Sequence, residues 1–165
     1  MDFLVCSVLI GMGATATIDV WAVVRKRLLA IPPPDYGLVG RWIAHMRHGR
    51  FRHDAITAAP ALRGERLIGW CAHYLVGVAF AALLLSIWGL QWVRHPTLAP
   101  ALAVGIGTVA APFLVMQPGM GAGIAAGRTQ HPAAARLQSL VTHGIFGLGL
   151  YATALATGHF LLQEV

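Results

Sequence analysis

Four side chains set a polar or ionisable group inside strongly apolar sequence. They are Asp19 in ATATIDVW, His73 in GWCAHYLVG, Gln117 in FLVMQPGM and His143 in SLVTHGIF. A carboxylate beside imidazoles can take up and release protons, because imidazole titrates near neutral pH. The same groups, with an amide oxygen, can hold a small cation or solute. Thr15 and Thr17, next to Asp19 on its N-terminal side, could line such a site. Two histidines at matched depth can also act as axial ligands to a haem or as ligands to another metal. In a third arrangement Asp19 pairs with an imidazole or with Arg66, and the groups only fix helix register through interhelical hydrogen bonds.

A second cluster is louder. GRWIAHMRHGRFRHD, residues 40–54, holds four arginines and three histidines in a chain that is only 11% charged. Val39, Trp42, Ile43 and Met46 recur at i, i+3, i+4 and i+7, one stripe of a helix. Arg41, His45, His48 and Arg52 form the opposite stripe. The pattern predicts a short amphipathic helix in the membrane interface, its basic face towards anionic headgroups. Gly49 weakens its end. His45 and His48 at i, i+3 have metal-ligand spacing on one face. Arg41, Arg47 and Arg52 oppose a divalent cation there, and Asp54 is the only nearby carboxylate. The charges suit lipid at short range, and nucleic acid is not expected as a partner.

The elements that must carry these groups follow from composition. Hydrophobic residues make up 57% of 165, and no acidic residue lies between Glu65 and Glu164. Soluble domains average roughly 25% charged residues. Four runs reach the ~20 apolar residues a membrane helix needs: about 3–24, 67–90, 97–117 and 137–162. None alternates as a barrel strand would. The expected fold is all-α, a single membrane domain over 1–165 built as a four-helix bundle, with the interfacial helix in the 25–66 connection. At about 1.5 Å per residue, Asp19, His73 and His143 share a layer some 7–10 Å inside one boundary, and Gln117 ends the third run.

Charge sets the orientation. Nine Lys and Arg residues fall in the 25–66 connection, and Arg128 and Arg136 between runs three and four; only Arg94 lies opposite. The basic side is expected to be cytoplasmic. In a bacterial inner membrane both termini are then periplasmic. The first run has no basic residue before it and is read as a retained span rather than a cleaved leader. Cys6 and Cys71 are expected at different depths, as packing residues rather than a disulfide.

GMGATA and GAGIAA satisfy a dinucleotide-binding spacing but lack the strand, helix and following acid that it requires. Gly119, Gly123 and Gly127 read either as a close-packing stripe or as a glycine-rich turn after Pro118. No enzyme motif is present, and no cofactor is demanded; haem or a divalent metal at His73 and His143 is the alternative. A homo-oligomer is compatible with the pattern.

Taken together, ATATIDVW, GRWIAHMRHGRFRHDAI, GWCAHYLVG, QPGMGAGIAAGRTQHP and ARLQSLVTHGIFGLGLY resemble a family of small four-span bacterial inner-membrane proteins, defined only as a domain of unknown function. The resemblance implies the four-span topology through nearly the whole chain and implies no activity. Three expectations stand: binding or translocation of a proton, cation or small solute at the Asp19, His73, Gln117 and His143 layer; a non-transporting structural or assembly subunit; or haem or metal binding through His73 and His143.

Overall fold

The computed structural model describes residues 2–162. Among them all regular structure is helical, and four helices are long and apolar enough to cross a membrane: Phe3–Leu29, Glu65–Trp88, Leu98–Met120 and Pro132–His159. The chain is thus an all-helical membrane protein.

Local chemistry sets the helix ends. Asp2 caps α1 (Phe3–Leu29), its carboxylate accepting the Leu4 N–H at 2.9 Å. Lys26 and Arg27 occupy its last turn, where cations suit the negative end of the helix dipole. The helix runs five residues past the apolar run, and Ile31-Pro32-Pro33 prevents further extension. Asp35 caps α2 (Tyr36–Met46) by accepting the Gly37 N–H at 2.8 Å. After one 3-10 turn at Ile56–Ala58 comes α3 (Glu65–Trp88), stopped at Gly89, whose φ is 75°. The short α4 (Gln91–Arg94) leads to α5 (Leu98–Gly107).

The third run is not one regular helix. Pro112 has no N–H to give, and the backbone widens into a π turn over Pro112–Met116 before α6 (Gln117–Met120). The Gly119–Gly127 segment is the glycine-rich turn. Its Gly121 has φ 97°, while Ala125 and Ala126 hold φ of 46° and 58°, a conformation that costs residues bearing a Cβ. Last comes α7 (Pro132–Leu162), 31 residues long.

Contacts divide the chain into two compact units: Met1–Pro33, Tyr74–Thr108 and Val141–Val165 in one, Pro34–His73 and Val109–Leu140 in the other. In the first, small residues let backbones approach. A Cβ on Gly11 of α1 would lie 2.7 Å from the Val78 nitrogen of α3; one on Gly105 of α5 would lie 2.5 Å from the Gly147 Cα of α7. Gly149 of α7 sits on Ala14 of α1 in the same way. Ile10, Leu84, Leu85 and Leu150 belong to this unit's buried apolar core. Outward positions stay apolar, with Leu4, Val20, Leu75 and Leu155 exposed, as a hydrocarbon solvent demands.

In the second unit α2 lies on the first turns of α3. Gly40 meets the Glu65 carbonyl and Gly69 meets the Tyr36 carbonyl, both too closely for any Cβ. Trp42 covers Gly119, and Ile56 is buried. The connection after α2 is folded onto it rather than trailing in solvent.

Candidate functional site

In the first unit Asp19 is half-buried on α1, and its Oδ2 accepts the Tyr74 hydroxyl of α3 at 2.9 Å. The sequence reading did not single out Tyr74. Its position directly after His73 carried no warning, since an i+1 neighbour points to another face of a helix. Each threonine beside Asp19 donates to its own helix: Thr15 to the Gly11 carbonyl at 2.7 Å and Thr17 to the Gly13 carbonyl at 2.9 Å. Such i−4 bonds are the usual outlet for a hydroxyl within a helix.

His143 lies at the α5–α7 crossing. Its Nδ1 is 3.1 Å from the Gly105 carbonyl and 3.1 Å from Thr108 Oγ1, while the Thr108 hydroxyl donates to Gly105 O at 2.7 Å. A carbonyl only accepts, so Nδ1 carries the proton. In the neutral ring Nε2 is then the basic atom, and the one a haem iron or other metal would meet.

The second unit holds His73 and Gln117. His73 stacks on Tyr36, with ring centres 4.1 Å apart and planes at 26°, and meets Trp70 edge-on at 5.8 Å. Gln117 Oε1 is buried without a hydrogen bond. Each unit thus carries two of the four expected residues.

The loud cluster is arranged differently from its helical projection. Arg41 does not reach into open solvent. Its Nε and Nη2 donate to Glu65 Oε2 and Oε1, each at 2.8 Å, and its Nη1 donates to Ala59 O at 3.1 Å. The Glu65 carboxylate raises the guanidinium pKa above its ordinary value. Glu65 also accepts the Leu62 N–H at 2.9 Å, which closes the turn into α3. Trp42 is buried and donates from Nε1 to Phe51 O at 2.7 Å. His45 is buried, with Nε2 3.1 Å from the Pro60 carbonyl. Only His48 and Arg52 of the expected basic face are exposed. The cause is that 55–65 folds back over that face, bringing a carboxylate and two carbonyls to meet it.

α2 ends at Met46, so His45 and His48 do not share a helical face. His53 takes His48's place: its ring centre is 5.1 Å from that of His45, with planes at 87°. It is buried, and neither Nδ1 nor Nε2 has a hydrogen-bond partner. Burial pushes its pKa below the ordinary histidine value, and Arg50 and His45 add to this, against Asp54 and the nearby Gly119 carbonyl. That carbonyl takes the His53 backbone N–H at 2.9 Å. Cys6 and Cys71 are both free thiols, the first buried and the second exposed.

A family model described as "Protein of unknown function (DUF2938)" matches residues 8–157, and the chain belongs to that family. No curated protein and no solved structure matches the chain.

Proposed function

We propose that this DUF2938 member is a multi-pass membrane protein that binds and passes a proton, a small cation or a small solute, with Asp19 as its charge-bearing group. The observation that supports this reading is a carboxyl group within a membrane-length helix, held by the Tyr74 hydroxyl at 2.9 Å. Ionisable side chains at membrane depth are costly and mark ion paths and proton relays. In this reading His143, in the same unit as Asp19, is the titratable partner. The basic 25–66 connection faces the cytoplasm of a bacterial inner membrane, with both termini periplasmic and Arg47, His48 and Arg52 near anionic headgroups.

The second reading is a structural or assembly subunit that transports nothing. What favours it is His143, whose Nδ1 hydrogen is spent on the Gly105 carbonyl where α5 and α7 touch.

Reconstituted vesicles with an internal pH dye, run against a panel of cations and small solutes, separate the two. Wild type is expected to dissipate a gradient of at least one species, and Asp19→Asn to abolish that flux while still inserting and folding. Equal behaviour of the two proteins across the panel, matched by equal complementation of a deletion strain, overturns the transport reading and leaves the structural one.

A further inference from the structure

A neutral imidazole always carries one N–H, and leaving a buried N–H without a hydrogen bond is costly. His53 is 6% exposed, and neither ring nitrogen makes a hydrogen bond; the Gly119 carbonyl lies near the ring without closing one. Packing alone gives no reason for a polar ring there. Its neighbour supplies one.

His45 points Nε2 at the Pro60 carbonyl, 3.1 Å away. Because a carbonyl cannot donate, that nitrogen bears the proton and Nδ1 keeps the lone pair. Metal-bound histidines commonly show this arrangement, in which a backbone carbonyl fixes the tautomer and aims the other nitrogen. The spacing of the two rings fits as well. Two imidazoles bound to one tetrahedral ion at about 2.0–2.1 Å place their centres about 5 Å apart, and here the separation is 5.1 Å.

We propose that His45 and His53 form a binding site for a first-row transition cation of the kind imidazole prefers, Zn2+ or a neighbour of it. Among the described residues no third His, Cys, Asp or Glu completes a cluster. A cation held by these two imidazoles would fill its remaining positions with neutral oxygen or water. Gln117 Oε1, buried without a hydrogen bond, belongs to the same seam of chain: Gly119, two residues on, accepts the His53 backbone N–H. The arginines that argued against a cation in this segment are accounted for. Arg41 is neutralised by Glu65, and Arg47 and Arg52 are exposed, where water screens their fields. Arg50 remains as the charge acting against the ion.

The test uses the full chain, tag-free, purified in detergent and stripped with a chelator. Titration with Zn2+ is expected to give one ion per chain. His45→Gln and His53→Gln are each expected to weaken binding by more than about 10-fold, the loss typical even of supporting groups around a metal. His48→Gln, on an exposed position, is expected to leave it unchanged. X-ray absorption of the Zn2+-loaded wild type gives a reading that needs no variant, and two imidazoles in the shell are expected. Absence of stoichiometric binding, a shell without two imidazoles, or an equal loss on His48→Gln overturns the proposal. Asp19→Asn is expected to keep the full Zn2+ stoichiometry, so failure here and failure of the transport reading are told apart.

Discussion

Arg41 and Glu65, 24 residues apart, meet through two parallel hydrogen bonds of 2.8 Å each. The pair ties the middle of α2 to the first residue of α3 and leaves the side chains 14% and 20% exposed. Planar two-point pairing is specific to arginine, since lysine offers a single point charge. Arg41→Ala is therefore expected to lower the melting temperature of detergent-solubilised protein by several degrees, and Arg41→Lys to restore only part of the loss. Glu65→Gln should cost as much as Arg41→Ala, and the double variant little more than either single one. Additive losses would show that each residue acts through its separate backbone bonds, to Ala59 and Leu62, and not through the pair.

The glycines of α7 make opposite predictions within one turn. A Cβ on Gly147 would lie 2.9 Å from the Ala101 carbonyl and 3.1 Å from the Leu102 Cα, whereas one on Gly144 would meet nothing within 4 Å. Overpacking of a tight contact costs about 1–3 kcal/mol. Removing helix-interior glycine entropy returns roughly 0.5–1 kcal/mol. Gly147→Ala is expected to destabilise and Gly144→Ala to stabilise, read as opposite shifts in the midpoint of denaturation in mixed micelles. Shifts of the same sign would mean that α5 and α7 do not touch at this level.

The sequence carried the helices because lipid makes spans legible: an apolar run of about 20 residues has few other uses. It carried α2 through the regular apolar stripe of Val39, Trp42, Ile43 and Met46. What it concealed was partnership across sequence distance. Helical projection places Arg41 and His45 on an outward face, and only the return of 55–65 turns that face inward. His53 lies beyond the end of α2, so no periodic pattern linked it to His45; the nearest legible hint was the spacing of three histidines in one segment. The π turn over Pro112–Met116 that absorbs the missing N–H of Pro112 was not legible. Asp19, His73, Gln117 and His143 were legible as polar groups in apolar runs. Their partners Tyr74, Tyr36 and Gly105 come from other segments and were not.

Asp19→Asn keeps an oxygen where the Tyr74 hydroxyl donates. Hydrogen bonds between membrane helices average about 0.6 kcal/mol, so the unfolding free energy of Asp19→Asn should match wild type within about 1 kcal/mol, and that of Tyr74→Phe should fall by a similarly small amount. Any loss of flux in Asp19→Asn is then chemical rather than structural. A collapse of folding in Asp19→Asn, measured by detergent-resistant helicity, would instead make the carboxylate part of the framework.

His143 offers the sharpest division between the transport and structural readings, because its two nitrogens do different work. Nδ1 holds the Gly105 carbonyl, while Nε2 is the atom that could carry a proton or a ligand. An asparagine amide reaches roughly as far as Nδ1 and can donate to the same carbonyl, but it neither titrates near neutral pH nor replaces Nε2. His143→Asn is therefore expected to preserve the α5–α7 contact, with a denaturation midpoint close to wild type. His143→Leu removes the donor and should lose roughly 0.6–2 kcal/mol. If the residue serves a relay, His143→Asn folds normally and loses the pH dependence of flux. If it serves packing, His143→Asn complements a deletion strain fully and only His143→Leu fails. Stability and flux measured on the same two variants distinguish these outcomes.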